Sequence, residues 1–336
     1  MTASYAELFS SPFMQRALLA ALFTGLAAPA IGTYLVQRRL SLMGDGIGHV
    51  AVTGVALGLL TGLSPTWTAV VVAILGAVAI EVIRERGTTN GDLVLALLFY
   101  GGLAGGVLLT GLGGQATTRL QQFLFGSITT ASASDVLVTM ALATIVVLVG
   151  VGLSPQLFAA SQDPDFARVA GLRLRAYNVL VAVLAAVSVT VAMRTVGLLL
   201  VSALMVVPVA TAQQLTRSFR VTLTAAMALG VLASVGGLAL SAVLSRQATV
   251  APGPTIVLLA LACFLLTWPI GVWRRRRRRR AEPFPSGSPS GHAHIESHPH
   301  RHGRDCGHLA VPHDDHVDYV HDGHRHAPHG EHYDEH

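Results

Sequence analysis

Residues 131–153 read ASASDVLVTMALATIVVLVGVGL, and no charged side chain follows Asp135 in this stretch. A helix needs about 20 mainly apolar residues to cross a bilayer core of about 30 Å. Because lipid offers no hydrogen bonds, each backbone amide of such a segment must be satisfied within its own helix. The stretch therefore predicts a transmembrane helix.

Runs of the same character recur along the chain. They lie at approximately 14–36, 41–62, 65–83, 91–111, 176–193, 196–213, 220–243 and 252–272. Together with the first stretch they predict an all-α polytopic membrane protein with eight or nine transmembrane helices. The number stays open because a broken helix or re-entrant turn at Arg194 would change the count. Of the 336 residues, 52% are hydrophobic and only 12% are charged, which excludes an ordinary soluble enzyme.

All the basic residues are arginines, and their positions indicate an orientation. If nine spans alternate and the run Arg274–Arg280 is cytoplasmic, the opposite side receives only Arg16, Arg119, Arg194 and Arg246. This asymmetry predicts a multi-pass protein of the cell membrane with a cytoplasmic C-terminal tail. The basic run is expected to anchor the last helix at the anionic lipid surface, and nucleic-acid binding is not expected. Without lysine the chain cannot form the phosphate-binding loop of conventional ATPases.

These patterns divide the chain into three parts. Residues 1–273 are predicted to form a transmembrane domain, and residues 274–280 a basic juxtamembrane segment. Residues 281–336 are predicted to be a disordered tail, because they are rich in Pro, Gly, Ser, Asp and Glu and have too few apolar residues for a core.

Closely spaced histidines predict metal binding in that tail. Neutral imidazoles bind zinc, copper or nickel well, and neighbouring carboxylates assist. We expect fluctuating, degenerate sites rather than one defined tetrahedral site, with zinc favoured over manganese because manganese prefers oxygen ligands. A solvated tail with incidental metal affinity is the plainer interpretation. The predicted ligands are His292, His294, His298, His300, His302, His324 and His326.

Within the membrane domain, Asp45 and His49 are the most informative polar residues. They stand four positions apart, so on a helix they share one face. Ionisable side chains are costly in a bilayer and by default mark a path for ions or protons, and a carboxylate with an imidazole suits a divalent first-row metal. A helix-start Asp partnered by a structural His is the alternative interpretation. The membrane domain holds no other histidine, which disfavours a proton-coupled secondary transporter.

A polar segment between two predicted spans, Asp163–Gly171, reads DPDFARVAG. Asp163 can accept hydrogen bonds from the unpaired N–H groups of a first helical turn. Pro164 suits the first helical position, and Gly171 suits the position just after the end of the helix. The segment therefore predicts a short helix in a cytoplasmic loop. Such a helix could dock through Phe166 into another protein's groove, or it could pack on its own loops.

At these residues the sequence resembles the permease subunits of ATP-binding-cassette importers for zinc and manganese. The likeness covers about residues 14–272. It rests on three stretches, which are RLSLMGD at 39–45 followed by His49, DPDFARVAG at 163–171 and VGLLLVSALMVVPVATA at 196–212. Two positions depart from the usual pattern, since Gly48 stands where Ser or Ala is common and Thr53 where Pro is common. These departures leave the local helix shape and the preferred cation open.

The resemblance implies a homodimeric or closely paired permease with the pathway between subunits. Two separate ATPase chains would drive it, and an extracytoplasmic metal-binding protein would feed it. Asp45 and His49 would contact the cation transiently, with no permanently bound cofactor and no catalytic residue in this chain. The coupling contact with the ATPase would be made by Asp163, Pro164, Asp165, Phe166, Arg168 and Gly171.

The predicted function is therefore import of a divalent metal, zinc in the first instance, as the membrane subunit of an ATP-driven transporter. A manganese or iron importer of the same family is the first alternative. The others are a self-sufficient secondary metal transporter or exporter, and a metal-sensing membrane protein whose tail is the functional part.

Overall fold

The computed structural model describes residues 9–86, 91–112, 132–195, 197–245, 250–281, 293–295, 302–303, 306–313, 316–321, 324–329 and 332–335. The chain divides into two compact units, Met1–Val272 and Trp273–His336. The first unit is built from helices, and the strands lie in the second.

Nine long helices and two short ones are present in the described residues. In chain order they are α1 (Pro12–Gln37), α2 (Met43–Thr61), α3 (Pro65–Glu85), α4 (Gly91–Leu112), α5 (Ala133–Gly152), α6 (Ser154–Gln162), α7 (Pro164–Val169), α8 (Leu174–Thr195), α9 (Leu198–Leu215), α10 (Phe219–Leu244) and α11 (Pro252–Ala281). Eight of the long helices are apolar and long enough to cross a membrane, which confirms the predicted all-α polytopic class. The remaining one, α9, contributes the shorter apolar stretch Val201–Leu215.

One end of the helical unit gathers several of the loops that carry arginines, and we call it the arginine end. Near the C-terminal end of α1, Tyr34 lies against Phe219 at the start of α10, with ring centroids 5.4 Å apart. The Tyr34 hydroxyl donates a hydrogen bond of 2.6 Å to the Gly150 carbonyl, close to the end of α5. Leu174 at the start of α8 lines a pocket there with Arg38. Helices α1 and α5 therefore end, and α8 and α10 begin, at the same side.

The chain reverses direction between α8 and α9. Helix α9 runs antiparallel to α2, because Gly44 lies against Met205 while Gly48, one turn later, lies against Leu198. Since α2 starts at the arginine end, α9 returns the chain to that end, from which α8 had departed. The interruption predicted near Arg194 is therefore a change of chain direction between α8 and α9, and not a kink within a single helix.

Close helix crossings in this unit depend on glycine. A Cβ atom at Gly32 of α1 would overlap the backbone carbonyl of Met205 in α9, whereas one at Gly111 of α4 would meet no atom within 4 Å. We expect Gly32→Ala to destabilise the fold by about 1–3 kcal/mol, because the added methyl group is forced against backbone. Gly111→Ala should leave stability unchanged or raise it slightly. Thermal unfolding of the detergent-solubilised variants measures the difference, and equal midpoints would contradict this packing.

The second unit contains an antiparallel five-stranded sheet. Its strands are β1 (Ala293–Ile295), β2 (Leu309–His313), β3 (His316–His321), β4 (His324–His329) and β5 (His332–Glu335), in the spatial order β1-β5-β4-β3-β2. The prediction of a disordered tail is therefore wrong for the described tail residues. The composition did not reveal these short strands, which pair with one another as consecutive hairpins. Val317 and Tyr319 are residue types that favour strands, and pairing between strands satisfies the hydrogen bonds of the backbone. Tyr319 and Ala327 are buried within this unit.

The predicted basic segment 274–280 continues the last helix. Helix α11 extends to Ala281, and its apolar span ends at Arg274. The arginine run is therefore the polar C-terminal extension of the final membrane-spanning helix.

Candidate functional site

Asp45 lies in the first turn of α2, where the positive end of the helix dipole stabilises a carboxylate. Its side chain is half-buried. The hydroxyl of Ser202, on α9, donates a hydrogen bond to Asp45 Oδ1 over 3.3 Å. Ser202 is a partner that the sequence did not single out, because the contact joins residues far apart in the chain.

His49 lies one turn further along α2 and is only 5% exposed. Its ring packs edge-on against Phe99 of α4, with ring centroids 4.1 Å apart. Within the described residues, the buried His49 Nδ1 has no hydrogen-bond partner. A buried nitrogen without a hydrogen-bond partner costs free energy.

One of the two predicted ligands, Asp45, borders a pocket between α2 and α4. The pocket has a volume of about 320 Å³ and is lined by Leu42, Asp45, Gly46, Leu95, Ala96, Phe99 and Tyr100. Phe99 belongs to this lining and also contacts His49. In the part of the chain that the structure describes, no third His, Cys, Asp or Glu joins Asp45 and His49 as a ligand group. Asp45 therefore lies beside an accessible space, and His49 lies one turn further along α2.

The two departures from the family pattern are close-packing positions. A Cβ atom at Gly48 would overlap the Leu198 side chain, so glycine lets α9 approach α2 beside the pair. The Thr53 hydroxyl donates a hydrogen bond of 2.6 Å to the Gly102 carbonyl of α4. Both departures thus fix the helices that surround Asp45 and His49.

The predicted short helix in the loop is present as α7. Asp163 Oδ1 accepts a hydrogen bond of 2.9 Å from the Phe166 backbone N–H, and Pro164 occupies the first turn. Arg168 forms an exposed ion pair of 2.7 Å with Asp165. Gly171 adopts a φ of 79°, a conformation that favours glycine, directly after the helix.

Helix α7 also exposes two large apolar side chains. Phe166 is 62% exposed and Val169 is 88% exposed, in a loop at the arginine end. A short capped helix that presents two large apolar side chains to solvent is suited to a protein–protein contact.

A cluster of charged side chains, with the buried Glu81 among them, lies beside α7. The Glu81 carboxylate, fully buried, bridges Arg38 at 3.0 Å and Arg84 at 2.6 Å, and Glu85 pairs with Arg175 at 2.6 Å. Burial lowers the pKa of the Arg38 guanidinium, and the charge of Glu81 opposes that effect.

This cluster borders a pocket of about 600 Å³ that also reaches α7, where it is lined by Pro164 and Arg168. The sequence placed the arginines of this cluster on one side of the membrane. It did not indicate that a single acid, Glu81, would hold two of them together.

The predicted ligands of the tail lie at different positions in the structure. His292, His298 and His300 lie outside the described residues, and His294 and His324 lie in β1 and β4. His326 is buried on β4. His302 joins Cys306 and His308 in a group whose potential ligand atoms lie within 4.8 Å of one another.

Cys306 and His308 were not predicted as ligands. The sequence does carry a signal, because Cys306 follows His302 by four residues and His308 follows two later. Metal binding at degenerate sites in the tail stays a prediction.

The helical unit is similar to known proteins. A family model described as the ABC 3 transport family matches residues 10–270. The chain belongs to the ABC 3 transport family. The manganese import system permease protein ScaB of Streptococcus parasanguinis is 32% identical over 264 residues, covering 79% of this chain and 92% of that protein. The manganese transport system membrane protein MntC of Halalkalibacterium halodurans is 31% identical over 269 residues, covering 80% and 90%.

A solved structure is also similar to this ABC 3 family chain. PsaBC from Streptococcus pneumoniae, in complex with Fab, is 31% identical with a TM-score of 0.71, over 80% of this chain and 95% of that one. The permease fold and the family resemblance predicted from the three sequence stretches are confirmed.

Proposed function

We propose that this ABC 3 family chain is the permease subunit of an ATP-driven importer of a divalent transition metal, with zinc as its cargo. The observation that carries the proposal is that Asp45 and His49 lie one turn apart on a membrane-spanning helix. Asp45 lines a pocket, and the buried His49, which has an unpartnered nitrogen, packs on Phe99 of that lining. The names of the relatives ScaB and MntC, which assign those proteins to manganese transport, support the metal class.

The chemistry is ligand exchange and includes no covalent step. A bare divalent ion would pay a large desolvation cost inside the bilayer, and the Asp45 carboxylate offsets part of it. An imidazole nitrogen of His49 adds a ligand that zinc binds well. Because two side chains leave most of the shell to water, backbone or a second subunit, the cation can be captured and released again.

The energy for transport comes from ATP hydrolysis by partner chains. The chain has no lysine and therefore no conventional phosphate-binding loop, so the ATP is hydrolysed by separate ATPase subunits. The capped helix α7, with Phe166 and Val169 exposed, provides the coupling contact. The Glu81 cluster joins the end of α1 to the end of α3 through ion pairs, and its arginines line a pocket together with Pro164 and Arg168 of that loop.

The assembly includes a second copy of the chain and an extracytoplasmic metal-binding protein. Leu97 and Tyr100 of α4 are both more than 60% exposed near the Asp45 pocket, which supports a pathway completed by the second copy. The complex lies in the cell membrane. Collection of Arg38, Arg84 and Arg175 at the arginine end supports a cytoplasmic position for that end.

Manganese is the second candidate cargo, because the named relatives transport it. A single carboxylate and a single imidazole accommodate either ion. The histidines and the cysteine of the tail favour zinc, since manganese prefers oxygen ligands and binds nitrogen and sulfur sites weakly.

Cation competition distinguishes the two cargoes. Cells that carry the complete transport system would be given radioactive zinc or radioactive manganese, with excess unlabelled competitor, and cells that lack the permease would define background uptake. We expect zinc uptake above background that unlabelled zinc suppresses and unlabelled manganese suppresses less. The reverse order would assign manganese, and the absence of uptake of either ion above background would contradict the importer.

A further inference from the structure

Three potential ligands converge in the second unit of the chain. The side chains of His302, Cys306 and His308 are all half-buried, and one ligand atom from each lies within 4.8 Å of the others. The Cys306 Sγ atom is 3.7 Å from His302 Nδ1, and the His302 and His308 ring centroids are 5.1 Å apart.

The local backbone brings the three residues together. The Cys306 N–H donates a hydrogen bond of 3.1 Å to the Gly303 carbonyl, which closes a turn after His302. Gly307 has a φ of 74°, and this left-handed conformation turns the chain between Cys306 and His308. The short spacing and this turn place a thiol between two imidazoles.

The sheet supports one of these ligands. The His302 ring stacks on Tyr319 of β3, with centroids 5.3 Å apart and planes inclined by 3°. The ring also stacks near His326 of β4 at 5.4 Å. Tyr319 and His326 are themselves buried, so His302 rests on an ordered surface rather than on a solvated coil.

The distances suit a tetrahedral zinc ion. Zinc–nitrogen bonds of about 2.0–2.1 Å and zinc–sulfur bonds of about 2.3 Å place neighbouring ligand atoms about 3.3–3.7 Å apart in a tetrahedron. The separation of Cys306 Sγ and His302 Nδ1 already has that length. All the potential ligand atoms lie within 4.8 Å of one another, so side-chain movements of about 1 Å would bring them to tetrahedral spacing.

We propose that His302, Cys306 and His308 form a discrete zinc site in the tail, separate from the transport pathway. Zinc binding replaces the proton of the Cys306 thiol, which is released to solvent as the zinc–thiolate bond forms. Three protein ligands leave a fourth position for water or for an incoming donor, so the bound ion is exchangeable. The nitrogen and sulfur ligands exclude manganese as the preferred occupant.

Cobalt(II) spectroscopy of the purified full-length chain in detergent tests this site. Cobalt occupies tetrahedral zinc sites, and a thiolate ligand adds a charge-transfer band that histidine ligands elsewhere in the tail cannot produce. We expect this band in the native chain under reducing conditions, saturating at one cobalt per chain. Added zinc should abolish the band, whereas the same concentration of manganese should leave it.

The two cysteines provide a matched pair of variants. Cys306→Ser should lose the band and Cys263→Ser, a change in α11, should keep it. His308→Ala retains the thiol and should weaken cobalt binding by at least about tenfold, a readout that does not depend on the Cys306 substitution. A native chain without the band, a band that survives Cys306→Ser, or undiminished affinity in His308→Ala would overturn the site. None of these results depends on transport, so they are separable from failure of the proposed importer.

Discussion

Replacement of His49 by alanine is expected to abolish metal uptake by the assembled transporter. Loss of an outer partner of a metal ligand costs about 10–100-fold, so loss of a direct ligand should reduce uptake by at least about 100-fold. Asp45→Asn should have a similar effect, because the amide keeps the shape but cannot offset the charge of a divalent ion. Uptake of radioactive zinc at equal membrane expression is the measurement.

Two further variants separate pathway chemistry from folding. Ser202→Ala removes only the hydrogen bond to Asp45 and should reduce uptake by about tenfold or less. Thr110→Val changes a buried hydroxyl of α4 that bonds within its own helix, and it should transport normally. If His49→Ala transports as well as Thr110→Val, His49 is a structural residue and the proposed pathway is wrong.

Phe166→Asp is expected to uncouple the permease from its ATPase. The exposed aromatic side chain of α7 resembles the anchors that dominate protein interfaces, whose truncation commonly costs about 2 kcal/mol or more. That loss corresponds to an affinity reduced by about 30-fold, and an added charge in an apolar contact increases it. Co-purification of the ATPase with the tagged permease, together with metal-dependent ATP hydrolysis, measures the effect.

An equally exposed leucine on another helix supplies the control for this experiment. Leu148 of α5 is 66% exposed within a membrane-spanning helix, and Leu148→Ala should retain both the ATPase and uptake. Retention of the ATPase and normal uptake by Phe166→Asp would show that α7 does not form the coupling contact.

Local chemistry made much of the helical unit predictable. The apolar run after Asp135 and its counterparts specify helices because backbone polarity must be satisfied inside the bilayer. Asp163 and Gly171 specify the start and stop of α7 through capping and a left-handed φ, which are properties of a few adjacent residues. The spacing of Asp45 and His49 likewise required only the helical repeat.

Contacts between distant segments were not predictable in this way. Ser202 meets Asp45 only because α9 reverses against α2, and Glu81 holds Arg38 only because α1 and α3 end together. Neither contact can be predicted from the spacing of residues within a single segment.

The tail illustrates a different limit. Composition describes the average solvation of a segment, whereas pairing between strands depends on which side chains alternate. Asp318 and His326, two residues typical of solvated segments, are buried in the sheet of the second unit. Composition therefore concealed both the strands and the convergence of Cys306 with His302.

Zinc accumulation in proteoliposomes tests the central claim most directly. The vesicles would hold the permease and its ATPase subunits, with the metal-binding protein supplied on the extracytoplasmic side and ATP on the other. We expect zinc to accumulate only when ATP and the ATPase subunits are both present, and not at all with His49→Ala. Equal accumulation by the permease alone, without ATP or ATPase subunits, would identify a self-sufficient transporter and contradict the proposed importer.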